Sequence, residues 1–249
     1  MQSTYRIDRT TLAMLRNRTV DVEPWEIGAA WAYGLDWRPL PVIQGYQAYA
    51  EVLDNFNADA LASPERPTAI LRQNTDGFSG VIDHSIDDRY LGWDPPAASR
   101  EMLCRYRAVR TTMLWQVLYP SADRCGREKL LARIQTETGA TVHVPPPPPE
   151  AIVFARISGL GIEGLERLRT FFYRARERSA TINARENWRI VPATAGDGLI
   201  VRSDPAIDFP PPFGLAPQAR SLSFAIEGAK REIEIEFFVQ RVQPDAPPR

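Results

Sequence analysis

Five consecutive prolines, Pro145 to Pro149, constrain this chain more than any other feature. Such a run is stiff polyproline II without backbone donors. It cannot lie inside a helix or a central strand. Either it separates two domains or it runs along the surface between two sheets of one. The change in pattern across it favours the first: a small α/β domain with a mixed sheet over 1–144, a linker at 145–150, an antiparallel β-sandwich of jelly-roll-like kind over 151–243, and a loose tail at 244–249.

Before the prolines, strand-like and helix-like pieces alternate. Strands are predicted at Thr19–Val22, Pro39–Ile43, Thr68–Arg72 and Met113–Tyr119. A helix is predicted at Gln47–Leu61, with Ala48, Val52, Phe56 and Ala60 on its core face. A second helix is predicted at Ser99–Val109, capped by Ser99. After the prolines, period-two alternation dominates. Ala151–Ile157, Ser179–Ile182, Trp188–Val191, Leu199–Arg202, Ser221–Ile226 and a last strand through Ile233, Ile235 and Phe237 read as sheets solvated on one face. Leu168–Tyr173 reads as helix or strand.

The 249 residues carry 30 basic and 31 acidic side chains, a net charge of -1. Only Lys129 and Lys230 are lysines, so the positive groups are planar guanidinium forks. The balance argues against a nonspecific nucleic-acid binder. No apolar run approaches the ~20 residues of a membrane helix. Arg6, Asp8 and Arg9 near the start, with no apolar block behind them, do not read as a signal peptide. The chain is either cytoplasmic or part of something larger.

Val20 to Leu61 carries the richest chemistry. Trp25 and Trp37 frame a segment that also holds Gln44, Tyr46, Gln47, Tyr49 and Asn57. Aromatic faces stack on the apolar faces of sugar rings while amides take the hydroxyls, so these residues suit a carbohydrate pocket. The same large residues equally suit the joint between a helix and a sheet. Glu26, Asp87 and Asp88 are the carboxylates placed to serve as acid and base in glycan chemistry. No nucleotide, metalloprotease or serine-hydrolase motif occurs, and His84 and His143 have no ligand spacing, so neither cofactor nor metal is expected. Cys104 and Cys125 read as a structural pair, or as two separate buried thiols. A bond between them would remove about 3 kcal/mol of unfolded-state entropy and favour an oxidising compartment.

The stretches VDVEPWE, GLDWRPLPVIQGYQAYAEVLDNFNADAL, SIDDRYLGWDPP and NWRIVPATAGDGLIV, within residues 12–226, resemble the extracytoplasmic C-terminal region of bacterial polytopic membrane proteins. Those proteins are glycosyltransferase-like or of unknown function. This chain departs from their pattern at Ala48 and Ala50, where Thr or Ser is commoner, and at Asp88, where the step reads closer to Ile-Asp-Gly-Arg. The resemblance implies a soluble outer domain carried behind membrane helices near a glycan or lipid-linked sugar, a Met1 that begins an excised fragment, and a disulfide between Cys104 and Cys125. The expected function is thus a noncatalytic, extracytoplasmic accessory module that binds or orients carbohydrate. The alternatives are a glycan-acting enzyme and a structural or protein-interaction domain. Oligomeric state is left open.

Overall fold

The computed structural model describes residues 2–73, 88–161, 177–204, 220–226 and 230–243. The predicted Leu168–Tyr173 element and Asp87 lie outside them.

The first region mixes helices and strands. Its elements are α1 (Gln2–Tyr5), α2 (Arg9–Leu15), β1 (Thr19–Glu23), α3 (Gly28–Tyr33), β2 (Asp36–Trp37), α4 (Glu51–Ala62), β3 (Ala69–Gln73), α5 (Pro96–Arg105), β4 (Tyr106–Thr111) and β5 (Trp115–Pro120). The five strands form one sheet in the order β2-β1-β3-β5-β4. β1 runs parallel to both β2 and β3, and β5 runs antiparallel to β3 and β4.

Alternation on the strands gives this sheet two unlike faces. Val20, Val22, Leu71, Trp115 and Val117 pack with Ile7, Leu15, Ala29 and Ala30 of the α2 and α3 side. Ile70 and Leu118 join the larger core with Leu61, Met102 and Leu103 of α4 and α5. Asp8 starts α2 by accepting the Thr11 N–H at 3.0 Å. Gly34 ends α3 in the left-handed region at φ 60°.

The second region is largely β, and its described strands are β6 (Lys129–Glu137), β7 (Thr141–His143), β8 (Ala151–Ser158), β9 (Arg178–Ile182), β10 (Glu186–Ile190), β11 (Leu199–Ser203), β12 (Ser221–Ile226) and β13 (Glu232–Arg241). They form two antiparallel sheets, β10-β9-β12-β7 and β11-β8-β13-β6. The chain passes repeatedly between the sheets, which gives the β-sandwich-like second region expected from the sequence. β6 and β7 precede the prolines yet pair with β13 and β12, so the proline run joins two strands of this region.

The two regions share one hydrophobic core. Trp93 donates its indole N–H to the Ile200 carbonyl at 2.7 Å. The Tyr90 ring lies edge-on between Trp93 and Trp188, with centroids at 5.6 and 5.4 Å. Arg100 of α5 covers the Phe154 ring at 4.2 Å and pairs with Glu128, which also holds Arg156. This cover corrects the expectation of one solvated face: β8 is buried on both sides along most of its length.

Three local expectations are also corrected. Pro39–Ile43 is not a strand, because the buried Asn57 side chain takes both backbone groups of Val42 that a ladder would use. The second helix begins at Pro96, which suits the first helical position, and ends at Arg105, so Ser99 lies inside it rather than capping it. The third concerns α4, which presents the opposite face to the one its apolar spacing predicts. Asp54, Asn57, Ala58 and Leu61 are buried, while Val52 and Phe56 are 55% and 51% exposed. Hydrogen bonding decides this orientation. Asp54 accepts the Ala97 and Ala98 N–H groups at the start of α5, at 2.8 and 2.9 Å, and Asn57 holds Val42. Leaving such groups unpaired in a buried joint costs more than exposing two apolar side chains.

Candidate functional site

The order β2-β1-β3 contains a topological switch. The chain leaves β1 for one neighbour through α3, then crosses to the other side for β3 after α4. Ligands of open α/β sheets bind beyond the carboxyl ends of the strands at such a point. Here those ends are Glu23 on β1 and Arg72 and Gln73 on β3.

An unusual polar row crosses the sheet at this edge. Glu23 is in register with Arg72, Arg72 with Gln116, and Gln116 with Thr111. Asp21 lies one pleat behind Glu23 on the same face. Asp21, Glu23, Arg72 and Gln116 are all buried. Burial pushes the Asp21 carboxyl up to about 7. It drives Glu23 well above the usual carboxylate range, aided by the charges of Asp21 and Asp94 and opposed by Arg72. Burial also pushes Arg72 down to about 10, with Glu23 pulling the other way. The Asp21 Oδ2 and Gln116 Oε1 atoms have no hydrogen-bond partner among the described residues.

Above this row lies the segment that the sequence singled out. The turn Gly45–Gln47 rests on Glu23: a Cβ on Gly45 would stand 3.6 and 3.7 Å from the Glu23 carboxylate oxygens and 3.2 Å from Pro95 Cδ. The Gln44 amide oxygen accepts from the Tyr46 hydroxyl and from the Gln47 amide, both at 2.9 Å. Arg89 fastens the turn from below. Its guanidinium is fully buried, donates to Asp94 at 2.5 Å and to the Tyr46 carbonyl at 2.9 Å, and lies 4.9 Å from the centre of the Tyr49 ring. Tyr49 is 45% exposed and Gln47 is exposed. The result is a surface ring seated on a charge that is itself held by a buried carboxylate.

The structure therefore brings Gln44, Tyr46, Gln47 and Tyr49 together. It separates Trp37 from them. Trp37 is in register with Val20 and packs against the core on the opposite sheet face, with Trp31 at 4.8 Å between ring centres. Trp25 is half-buried just past β1. Asn57 is sealed and occupied by Val42. Of the carboxylates named for catalysis, Glu26 lies near Tyr5, whose hydroxyl is raised first by burial and then by that charge. Asp88 is exposed, and its carbonyl accepts the Arg189 N–H at 2.9 Å.

Cys104 and Cys125 form a disulfide, with Cα atoms 5.2 Å apart. Among the described residues, the set Cys104, Asp123 and Cys125 is the one group of three potential metal ligands within 4.8 Å, and its two sulfurs are bonded to each other.

The buried row escaped the sequence reading, although its signal is present. VDVE, AILRQ and WQVLYP place Asp21 and Glu23, Arg72, and Gln116 on one face of their strands, opposite a mainly apolar face. Three such strands, once paired, stack these residues side by side.

Comparison of the chain with protein-family models, with curated proteins and with solved structures returns no match.

Proposed function

We propose that the protein is a noncatalytic, extracytoplasmic accessory module that binds carbohydrate at the switch-point edge of its α/β sheet. The observation that carries this reading is the seat of Tyr49. Its ring is 45% exposed, Arg89 stands 4.9 Å from the ring centre, and the turn just before it carries the hydrogen-bonded amides of Gln44 and Gln47. A stationary aromatic face with neighbouring hydrogen-bonding groups is what a sugar ring needs, and a side chain ordered beforehand loses little entropy on binding.

Two further observations support the wider setting. The disulfide favours an oxidising compartment. Asp88, at the position where the resembling membrane proteins carry glycine, has a left-handed backbone at φ 55°, a conformation glycine adopts freely and Asp tolerates. Among the described residues no helix is long and apolar enough to cross a membrane, so attachment to a membrane-embedded portion rests on the resemblance alone.

The test is calorimetric titration with a panel of cell-wall glycans. Saturable binding is expected. Tyr49→Ala should weaken it about tenfold or more with unchanged melting temperature, since a lost stacking contact of ~1.4 kcal/mol is a factor of ten. Trp31→Ala, which removes an exposed ring from the other sheet face, should leave binding intact. No saturable binding to any glycan removes the proposal.

A further inference from the structure

β6 is the last strand of its sheet, and among the described residues it pairs on one side only, with β13. It is nine residues long, and none of its side chains is buried. An open row of backbone N–H and C=O groups is a template for another strand. The ladder to β13 fixes which residues present that row. Thr138 donates its N–H to the Arg231 carbonyl at 2.8 Å. By the alternation of an antiparallel ladder, Thr136, Ile134 and Ala132 then bond to their register partners Ile233, Ile235 and Phe237. Arg133, Gln135 and Glu137 therefore turn their backbone groups to the open side. A bulge, one of the devices that blunt an edge, falls between Ala132 and Leu130 and leaves 132–137 regular.

We infer that a second copy of this chain fills the edge: two β6 strands pair antiparallel about a twofold axis at Gln135 and join their four-stranded sheets into one. The charges of the strand select this occupant and this register. With the axis at Gln135, Arg133 stands opposite Glu137 of the second copy, and the twofold repeats that pair on the other side. Moving the axis to either of the other outward residues sets Arg133 against Arg133 or Glu137 against Glu137. Both side chains remain available. Arg133 holds Glu236 of its own chain with 58% of its side chain still exposed, and Glu137 meets Lys230 in an exposed pair. The register also brings outward backbone groups to outward backbone groups, as a hydrogen-bonded antiparallel pair requires. The Glu137 carbonyl already accepts the Ala140 N–H at 3.1 Å. The ladder is thus carried by the Gln135 pair and by the Glu137 N–H donating to the Arg133 carbonyl on each side. Leu131, 41% exposed, then runs toward Gly139 of the second copy, where no side chain obstructs it.

The experiment is sedimentation velocity on the full chain over a concentration series. The mass should rise from 28.1 kDa to twice that value, and the Arg133, Gln135 and Glu137 amides should exchange more slowly as the dimer fills. Gln135→Pro removes the central N–H at an edge position that faces away from β13, where proline is tolerated. It should weaken association about tenfold or more, with the melting temperature of the monomer unchanged. Glu137→Arg sets like charges opposite each other and should weaken association about three- to tenfold. Combining it with Arg133→Glu restores the opposition of unlike charges and should recover the dimer, a readout that stands even if Gln135→Pro does not fold. A chain that stays monomeric at every concentration overturns the inference. So does a dimer indifferent to Gln135→Pro and to the charge variants, which places the contact on another surface. A monomeric chain whose edge instead takes an unrelated extended peptide, lost in Gln135→Pro, assigns β6 to a different occupant and likewise overturns it.

Discussion

Asp54 of α4 and Asp197, in the turn Ala195–Asp197 before β11, place two carboxyl groups within hydrogen-bonding reach across the joint of the two regions. Such a contact requires a shared proton. Burial raises the Asp54 carboxyl above its usual range, while the Ala97 and Ala98 N–H groups, the contact with Asp197 and the Arg100 charge pull it back toward the charged form. The proton therefore resides chiefly on Asp197. Gly198, which follows Asp197, has a φ of 102° and passes close to Phe154 and Arg100: a Cβ there would lie 2.9 Å from the Phe154 ring.

This pair predicts a pH-dependent joint. Burial, the Asp54 charge and its bond, and the Glu51 charge raise Asp197 from 3.8 to about 7, against an opposing pull from Arg100. A raised folded-state carboxyl contributes stability that is full below its ordinary value and is lost as pH climbs through the raised one. Asp197→Asn mimics the protonated form. Its melting temperature should match the natural chain near pH 4 and exceed it increasingly up to pH 7–8. Parallel melting curves across that window would show that the proton is not shared.

Arg89 and Asp94 predict a different cost. Both side chains are almost fully buried, at 2% and 3% exposure. Removing Arg89 takes away the guanidinium that pairs with the buried Asp94 carboxylate, so Arg89→Met should destabilise the fold by about 3–5 kcal/mol. Adding Asp94→Asn should recover part of that loss, because the buried negative charge that Arg89 neutralised is then gone as well. Urea denaturation of the two single variants and the double variant measures the coupling. Additive losses would mean that the pair is not energetically linked.

How much of this was legible beforehand differs by kind of residue. The α/β region and the later alternating strands were readable because apolar spacing reports which side of a strand is buried. α4 defeated the same rule. Val52 and Phe56 have core-like spacing, but the needs of α5 and Val42 for hydrogen-bond partners turned Asp54 and Asn57 inward. A single helix does not announce which distant backbone it must satisfy. The proline run misled on connectivity, since KLLARIQTE before it contributes β6 to a sheet completed about a hundred residues later. The segment Gln44–Tyr49 was legible as a group by composition alone. Its support was not, because Glu23, Arg72 and Gln116 meet only through register.

The Cys104–Cys125 bond predicts that the native protein has no free thiol and that two appear on reduction under denaturing conditions. The bond ties the end of α5 to the approach of β6. Its loss should cost about 3 kcal/mol by the chain-entropy argument. Cys104→Ser with Cys125→Ser, compared with the natural chain by denaturant unfolding, measures it. Thiol reactivity in the native oxidised protein would contradict the pairing.

Asn57 predicts a local effect as well as a global one. Its amide oxygen accepts the Val42 N–H at 2.8 Å, and its amide nitrogen donates to the Val42 carbonyl at 3.1 Å. No strand replaces these bonds, so Asn57→Ala leaves two backbone groups of a partly buried segment to water or to nothing. The expected loss is about 2–3 kcal/mol, the sum of two ordinary hydrogen bonds and the penalty of an unsatisfied group. Hydrogen exchange at the Val42 amide should accelerate by more than the global loss requires, because the tether acts first on 39–43. Asn57→Asp keeps the acceptor but turns a carboxylate oxygen toward the Val42 carbonyl, so it should not rescue. If Val42 exchanges no faster in Asn57→Ala than through global unfolding, the side chain is not what holds that segment against α4.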